Sequence, residues 1–343
     1  MTTTNRRWVL ARRPSGRLQD SDFKRDDVQL PELGPDEVRV RVTHLSFDPT
    51  QRIWISADSY LPAVPIGAVV RASGVGQVVA SNRAEFKPGQ MVQGAFGWQD
   101  YVQSPGGMTE LGPISALPPG VTPEQAMSVM GMTSITAWFG VHDVLKPKAG
   151  EVAVVSGAAG ATGSAAGQIL KAAGARVIGI AGGPEKTRWV KDVAKFDECI
   201  DYKSENVEAR IGALAPQGVD MVFENVGGEI LDASLAHLAL RARVALCGGI
   251  SGYDTGDVQG VKNYMNIVIQ RAKVEGFLVL DYFPRVMVAI QGLGGLLAQG
   301  KLVVGVDLQQ GFDNIPATLR RLFDGKNHGK QLLKIADPPL PVV

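Results

Sequence analysis

Hydrophobic and polar positions follow two different patterns along the 343-residue chain. Near the N-terminus, residues 37–43 alternate polar and apolar side chains (EVRVRVT), which is the period-two pattern of a strand with one buried face. Short apolar runs at 68–80 and 91–93 predict further strands, because turn residues such as Lys87-Pro88-Gly89 separate them. Residues 1 to about 120 are therefore expected to be all-β and to form a small barrel.

A different pattern begins at Thr122. Thr122, Pro123 and Gln125 suit the N-cap, N1 and N3 positions of a helix, and they predict one long helix that continues to Ala137. From Glu151 onward, apolar β-branched runs alternate with amphipathic segments. The predicted strands cover residues 152–155, 176–181, 198–202, 219–224, 242–247 and 274–280. Such alternation is typical of an α/β domain with a doubly wound parallel sheet.

The C-terminal tail changes pattern again. It predicts a strand at 302–308, a helix at 315–323 and a last strand at 331–335. We expect this tail to rejoin the N-terminal β-rich domain.

A glycine-rich turn follows the first strand of the α/β region and leads into a helix that ends at Gly174. The spacing Ala158-x-Gly160-x-x-Gly163 is the dinucleotide-binding fingerprint with alanine in place of its first glycine. Free backbone N–H groups and the positive end of the helix dipole form a site for a pyrophosphate. The predicted cofactor contacts in this turn are Ala158, Gly160, Ala161, Thr162 and Gly163.

The second strand of this region predicts which dinucleotide is bound. In an NAD site that strand tends to end in an acid that holds the ribose 2′-hydroxyl. Here it ends in Ala181-Gly182, with Lys186 and Arg188 shortly after, so this edge suits the 2′-phosphate of NADP(H). The alternative is that the two cations only solvate a helix face.

Composition limits the class of protein. The chain has 45% hydrophobic and 20% charged residues and a formal net charge of +1, which describes a soluble globular protein and gives no sign of nucleic-acid binding. It has no apolar run of membrane-spanning length and no signal-peptide core. We therefore expect a cytoplasmic protein that does not associate with a membrane. Cys199 and Cys247 are the two cysteines, which predicts neither a disulfide framework nor a cysteine zinc site.

Five short motifs follow one another along the chain. They are Phe47-Asp48-Pro49-Thr50-Gln51-Arg52, residues 131–137, Glu185-Lys186 with Asp201-Tyr202-Lys203, Glu224-Asn225-Val226-Gly227-Gly228, and residues 325–330. In this order they resemble the medium-chain dehydrogenase/reductase superfamily. Among its groups, the chain is most similar to the zinc-independent NADPH-dependent alkenal/one double-bond reductases, which include the leukotriene B4 dehydrogenase/prostaglandin reductases. The resemblance implies a GroES-like substrate domain at 1–125 and 306–343, a Rossmann-type NADP-binding domain at 126–305, and a homodimer.

The zinc-dependent branch of that superfamily holds a catalytic metal with cysteine and histidine ligands. This chain has no cysteine before Cys199, and its histidines, His44, His142, His237 and His328, lie far apart in sequence. A catalytic zinc needs three protein ligands and an open position. We therefore expect no metal, although folding could bring distant groups together.

The resemblance implies metal-free reduction of a small conjugated carbonyl compound. Hydride from NADPH would add to the β-carbon and a proton to the α-carbon, while hydrogen-bond donors stabilise the developing enolate oxygen. Lys186 and Tyr202 resemble the pair that contacts the 2′-phosphate. The other cofactor contacts implied by the resemblance are Met132, Thr136, Asn225, Gly227, Cys247, Gly248, Gly249, Ile250, Ser251, Phe277, Leu278, Val279 and Asn327, with Phe277 to Val279 placed in the sixth strand.

The substrate side of the site is less defined. Tyr60, Tyr253 and Tyr282 are the candidate donors to the enolate oxygen, without a ranking among them. Many relatives have Asp-Pro-Tyr where this chain has Asp48-Pro49-Thr50, which removes a phenol from the expected substrate region. An NADPH:quinone oxidoreductase of the same superfamily and a non-catalytic NADPH-binding protein remain open as alternative functions.

Overall fold

The computed structural model describes residues 3–256 and 260–343. The chain divides into two compact units. The first comprises Met1–Met127, Asp307–Lys326 and Gln331–Val343, and the second comprises Ser128–Val306 and Asn327–Lys330. The short segment Asn327–Lys330 therefore belongs to the second unit, although the chain on both sides of it belongs to the first.

Strands and helices are numbered here in chain order. The strands are β1 (Thr4–Asn5), β2 (Trp8–Leu10), β3 (Phe23–Arg25), β4 (Val28–Gln29), β5 (Glu37–Ser46), β6 (Ser73–Ser81), β7 (Met91–Ala95), β8 (Tyr101–Pro105), β9 (Met108–Thr109), β10 (Gly112–Pro113), β11 (Ser115–Ala116), β12 (Val152–Ser156), β13 (Arg176–Ala181), β14 (Glu198–Asp201), β15 (Val219–Glu224), β16 (Leu238–Leu246), β17 (Lys273–Gly276), β18 (Val306–Gln310) and β19 (Lys330–Lys334). The α-helices are α1 (Thr50–Trp54), α2 (Pro123–Met127), α3 (Met132–Phe139), α4 (Ala161–Ala172), α5 (Pro184–Asp192), α6 (Val207–Leu214), α7 (Gly228–Ala236), α8 (Ile250–Tyr253), α9 (Met265–Ile269), α10 (Val286–Ala298) and α11 (Ile315–Phe323). A π-helical segment covers Gly140–Leu145, and 3₁₀ helices cover Asp20–Asp22, Val279–Arg285 and Phe312–Asn314.

The second unit contains a parallel sheet with the strand order β14-β13-β12-β15-β16-β17. Val154, Ile178 and Val222 on its inner strands have no exposed surface. Full burial of a side chain of this kind stabilises the fold by about 1.5–3 kcal/mol. The order reverses between β12 and β15, as in a doubly wound dinucleotide-binding fold. The predicted α/β class with a Rossmann-type sheet is confirmed.

The first unit is built around a mainly antiparallel sheet with the order β11-β7-β6-β5-β19-β18, and β8 also pairs with β5. Along β5, Val38, Val40 and Val42 are fully buried, which confirms the predicted period-two strand. The tail strand β19 pairs antiparallel with β5, so that Leu333 lies opposite Leu45. This β-rich unit agrees with the expected GroES-like N-terminal domain.

The prediction of one long helix from Thr122 to Ala137 is wrong. The capping box at its start is present, since the Gln125 N–H donates to Thr122 Oγ1 (3.3 Å) and the Thr122 N–H donates to Gln125 Oε1 (3.1 Å). However, α2 ends at Met127, and α3 begins only after Gly131, which is extended with φ −87° and ψ 170°. Residues 128–130 form a turn between the two helices, and the low helix propensity of Gly131 is consistent with a break at this place.

The sixth predicted strand is also shorter than expected. Strand β17 ends at Gly276, and a 3₁₀ helix begins at Val279. Phe277 and Leu278 therefore follow the strand and Val279 starts the helix, so their placement within a strand was wrong. The run at 302–308 was likewise misplaced, because the strand there is Val306–Gln310. The apolar residues Leu302 and Val304 instead pack in the core of the second unit.

Candidate active site

The turn between β12 and α4 has the geometry of a dinucleotide-binding loop. Gly157 has φ +60°, and Gly160 is the extended N-cap of α4. A Cβ on Gly163 would lie 2.8 Å from the carbonyl carbon of Gly157 and 3.0 Å from Ser156 O, so the helix start can approach the turn this closely only with glycine there. Ala161, Thr162 and Gly163 form the first turn of α4, where backbone N–H groups have no intrahelical partner.

Alanine replaces the first glycine of the fingerprint, and the neighbouring strand provides the space for it. Ala158 is fully buried, and its N–H donates to Ile180 O (3.0 Å). Its methyl group faces Gly179 of β13, where a Cβ would come within 2.9 Å of it. The missing glycine at position 158 is thus compensated by a glycine at position 179.

The residues predicted to bind the 2′-phosphate follow β13 and β14. The Tyr202 ring packs directly on the backbone of Gly182, since a Cβ on Gly182 would lie 2.8 Å from two of its ring carbons. Lys186 is half-buried and Arg188 is exposed, both on α5. Gly182 and Tyr202 directly follow β13 and β14, and α5 begins two residues after Gly182, so all four residues follow the carboxyl ends of these two strands.

Asp201 connects the two loops at this edge. One of its carboxylate oxygens accepts hydrogen bonds from the N–H groups of Gly183 (2.7 Å) and Lys203 (3.0 Å). The backbone hydrogen bond from Gly183 lowers the pKa of Asp201. Asp201 therefore fixes the loop after β13, although Asp201 itself is the last residue of β14.

Asn225, directly after β15, is bound to the end of β12. Its N–H donates to Ser156 Oγ (2.8 Å), and its Nδ2 donates to Ser156 O (2.7 Å). Gly227 follows with φ +77° and is the N-cap of α7. The turn after β15 is therefore fixed relative to the dinucleotide loop.

The turn after β16 joins the same arrangement. The Ile250 N–H donates to Asn225 O (3.1 Å), and Ser251 Oγ donates to Val226 O (2.6 Å). Burial raises the pKa of Cys247 to about 12, so its thiol stays protonated. Cys247 therefore lies at the cofactor edge as a small packing group and not as a nucleophile.

Tyr253 closes the short helix α8 in that turn. Its hydroxyl oxygen accepts a hydrogen bond from the Gly249 N–H (2.9 Å). A Cβ on Gly248 would lie 3.1 Å from this oxygen, so the phenol lies against the loop backbone. The Tyr253 hydroxyl is thus held at the carboxyl end of β16.

Tyr282 lies in an aromatic cluster. Its ring stacks on Phe139 with 4.5 Å between centroids, and Phe277 lies edge-on to it at 6.5 Å and to Phe223 at 6.1 Å. The Arg285 guanidinium lies over the rings of Tyr282 and Phe139. Burial raises the pKa of Tyr282 above its usual value, so the phenol stays protonated at neutral pH.

Met132 and Thr136 share one face of α3. Thr136 Oγ1 donates to Met132 O (2.7 Å), and both residues are half-buried. The helix contributes Ile135 and Ala137 to the core that also contains buried residues of α4. The two predicted cofactor contacts on α3 thus belong to a helix packed in the same core as the helix of the dinucleotide loop.

The tail segment of the second unit contacts the dinucleotide loop. The Gly329 N–H donates to Ala159 O (3.0 Å), and Gly160 and Gly329 form a parallel bridge. Asn327 Nδ2 donates to Gly329 O (3.0 Å), which shapes the turn. Asn327 is therefore brought close to the loop by the backbone that follows it.

Tyr60 belongs to the first unit and is 38% exposed. Its hydroxyl is hydrogen-bonded to Thr50 Oγ1, and its ring lies edge-on to Trp54 at 6.5 Å. Thr50, at the position where the family resemblance leads us to expect a tyrosine, therefore contacts the phenol of Tyr60.

Three polar residues of the cofactor edge were not predicted as site residues: Ser156, Asp201 and Glu224. Each ends a strand of the parallel sheet. Ser156 and Asp201 bind the loop after a neighbouring strand, and the Glu224 side chain binds the loop after its own strand. The available signal was a polar residue directly after an apolar β-branched run. That position is the carboxyl edge of the sheet, where ligands bind in folds of this type.

No group of three or more histidine, cysteine, aspartate or glutamate side chains in residues 3–256 and 260–343 is arranged to hold a metal ion. Within the same residues, no helix has both the length and the apolar character to cross a membrane.

The carboxyl edge of the sheet fits a dinucleotide phosphate. The missing side chain at Gly163 lets the start of α4 pack closely against the turn after β12, and the first turn of the helix presents its backbone N–H groups there. Lys186 and Arg188 add positive charge at the next strand. These features suit the pyrophosphate and the additional phosphate of NADP(H).

Comparisons with known proteins agree with this geometry. Residues 6–111 match the family described as the N-terminal domain of oxidoreductase, and residues 161–291 match the family described as zinc-binding dehydrogenase. The chain is 35% identical to an NADPH-dependent curcumin reductase of Escherichia coli, over 97% of each chain. It is 33% identical to an NADP⁺-dependent 2-alkenal reductase of Nicotiana tabacum, over 97% of this chain and 98% of the relative.

A solved structure is similar over the same length. The crystal structure of CurA from Vibrio vulnificus in complex with NADPH has a TM-score of 0.91 and 38% identity, and the match covers 97% of this chain and 100% of that one. The chain belongs to the medium-chain dehydrogenase/reductase superfamily, in its alkenal and prostaglandin reductase-like group of NADP(H)-dependent oxidoreductases.

Proposed function

We propose that this protein reduces the carbon–carbon double bond of α,β-unsaturated aldehydes and ketones with NADPH. One observation carries the proposal: two relatives that match almost the full chain are named for curcumin and for 2-alkenals. Both names denote compounds with an alkene conjugated to a carbonyl group. Supporting geometry comes from the phosphate-binding edge of the parallel sheet, which fits NADP(H).

Different residues of the second unit bind different parts of the cofactor. The first-turn N–H groups of α4 bind the pyrophosphate, and Lys186 with Tyr202 and Arg188 binds the 2′-phosphate. Asn225 and Asn327 hold the loops on the nicotinamide side. Bound NADPH supplies the hydride that the β-carbon of the substrate receives.

A phenol stabilises the oxygen that becomes negative as the enolate forms. Tyr253 is the first candidate, because the hydrogen bond from Gly249 fixes its hydroxyl oxygen at the carboxyl end of β16. Tyr282 is the second, since its ring packs against Phe277 directly after β17. Tyr60, paired with Thr50, is the third and belongs to the first unit.

Oxidation of NADPH in the presence of enals, enones and quinones tests the proposal. We expect turnover of an acyclic enone such as benzylideneacetone, a strong preference for NADPH over NADH, and no loss of activity after chelator treatment. Tyr253→Phe and Tyr282→Phe, compared at saturating NADPH, identify the phenol that contributes. Turnover of quinones alone would point to a quinone reductase, and tight NADPH binding without any turnover would point to a binding protein.

We also propose that the protein is a homodimer that buries the edge of its parallel sheet. β17 is an edge strand. The preceding α9 exposes Met265 (49%), Val268 (63%) and Ile269 (56%), which is unusual for large apolar side chains so close together. Light scattering should give twice the mass of the chain, and Val268→Asp should give the single-chain mass while the fold is retained. A single-chain mass for the wild type would refute the dimer.

A cytoplasmic location fits a reductase that depends on NADPH, because the reduced cofactor is regenerated in that compartment. Fractionation of the source cells should recover the protein with cytoplasmic marker enzymes. Recovery with extracytoplasmic or membrane fractions would contradict this part of the proposal.

A further inference from the structure

Glu224 is the last residue of β15, and its carboxylate is buried beneath the cofactor loops. The residue has no exposed surface. Its Oε1 accepts hydrogen bonds from the N–H groups of Val226 (2.6 Å) and Gly227 (2.7 Å). Oε2 has no hydrogen-bond partner among the described residues. A carboxylate is costly to bury, so a residue of this kind needs an explanation.

The turn that Glu224 holds is conformationally unusual. Gly227 has φ +77° and Gly228 has φ +54°, so two successive residues lie in the left-handed half of φ space. No side chain caps α7, which begins in this turn. The two N–H groups that Glu224 binds are therefore part of what defines the path of the chain from β15 into the helix.

This turn also links its two neighbours. On one side, Asn225 is hydrogen-bonded to Ser156 at the end of β12 through both its backbone and its side chain. On the other side, Glu224 O accepts hydrogen bonds from the N–H groups of Cys247 (2.9 Å) and Gly248 (3.2 Å) in the turn after β16. Glu224 and its neighbour Asn225 together therefore link three loops at the carboxyl edge of the sheet, with Asn225 bound to Ser156 and the Glu224 carbonyl bound to the turn after β16.

Glu224 lies at the point of the sheet where the cofactor is expected to bind. β12 and β15 are neighbours at the point where the strand order reverses. Ligands of doubly wound folds bind in the crevice outside this point. A residue that fixes the loops on both sides of the crevice determines whether they are already in place when the cofactor arrives.

We propose that the Glu224 side chain is a positioning residue for NADPH: it fixes the backbone of the Asn225–Gly228 turn, which itself contacts Ser156 and the turn after β16. It binds no cofactor atom itself but orders the backbone that does. Preformed loops raise affinity because less conformational freedom is lost on binding. This inference rests on the cofactor site of the proposed function and not on its substrate.

NADPH binding to the full-length protein, measured by calorimetry without substrate, tests the proposal. Glu224→Gln keeps an oxygen that can accept from both turn N–H groups and should weaken binding by about threefold, whereas Glu224→Ala leaves those groups unpaired and should weaken it by about tenfold or more. Glu224→Asp is one methylene too short and should resemble the alanine variant. Glu198→Gln, at the amino end of β14 and paired with Lys191, is the matched control and should bind like the wild type.

Steady-state kinetics distinguishes positioning from a general loss of structure. The KM for NADPH should rise in Glu224→Ala, while kcat at saturating NADPH and the KM for the enone stay within about twofold of the wild type. If Glu224→Ala does not fold, Glu224→Gln and Glu224→Asp provide the same comparison. Unchanged NADPH affinity in a folded alanine or aspartate variant would overturn the inference, whereas failure of the wild type to bind NADPH would overturn the proposed function.

Discussion

Two glycines of α4, one turn apart, should respond very differently to the same substitution. A Cβ at Gly163 would lie 2.8 Å from the carbonyl carbon of Gly157, about 0.7 Å inside the ordinary contact distance, and both groups are backbone. The helix start must therefore move away from the dinucleotide loop. We expect Gly163→Ala to lose about tenfold to a hundredfold in NADPH affinity, together with about 1–3 kcal/mol of stability.

Gly167 is the matched comparison. A Cβ there would overlap the Phe196 ring, with 2.5 Å to Cε1, on the side of α4 that faces the core. Gly167→Ala should therefore destabilise the second unit by a similar amount, and the added substitution Phe196→Leu should recover part of that loss. NADPH affinity of the folded protein should remain near the wild-type value in both variants.

Calorimetric titration with NADPH and thermal unfolding of the four proteins provide the assay. We expect Gly163→Ala to lose both NADPH affinity and thermal stability, and Gly167→Ala to lose thermal stability alone. Equal loss of affinity in the two variants would refute the reasoning, because the effect would then come from general destabilisation rather than from the geometry of the loop.

Three further predictions concern other parts of the molecule. Burial lowers the pKa of His44 from 6.5 to about 4, so between these pH values the unfolded protein binds more protons than the folded protein. The free energy of unfolding should therefore fall by up to about 3 kcal/mol as the pH drops from 6.5 to about 4. Thermal melting measured against pH should show a smaller fall in His44→Gln. Gly182→Ala should displace the Tyr202 ring and reduce the preference for NADPH over NADH in paired kcat/KM measurements. Arg243→Lys should lower the melting temperature, because lysine cannot reproduce the paired hydrogen bonds to Glu151 (2.7 and 2.8 Å).

The elements that the sequence predicts well are those specified by local pattern. The apolar run of β15 and the helix Ile315–Phe323 have the predicted bounds, since burial of one strand or one helix face leaves a periodic signal. The break between α2 and α3 was missed because apolar spacing continues across it, and the extended backbone of Gly131 is visible only in the structure.

For the site, the glycine spacing together with the strand–helix–strand pattern around it predicts the dinucleotide loop, and the sequence after β13 predicts the role of the two cations. The residues that hold the loops in place were not predicted, because their partners depend on which strands are neighbours. Asp201 at the end of β14 binds Gly183 after the neighbouring strand β13, and Ser156 at the end of β12 binds Asn225 after the neighbouring strand β15. Gly329 reaches Ala159 from the far end of the chain, which no local pattern indicates.

The most direct test of the central claim is analysis of the product formed from benzylideneacetone and NADPH deuterated at the transferable position. The proposed function predicts the saturated ketone with the label on the β-carbon. An allylic alcohol labelled at the carbonyl carbon would show reduction of the carbonyl group instead, and would contradict it.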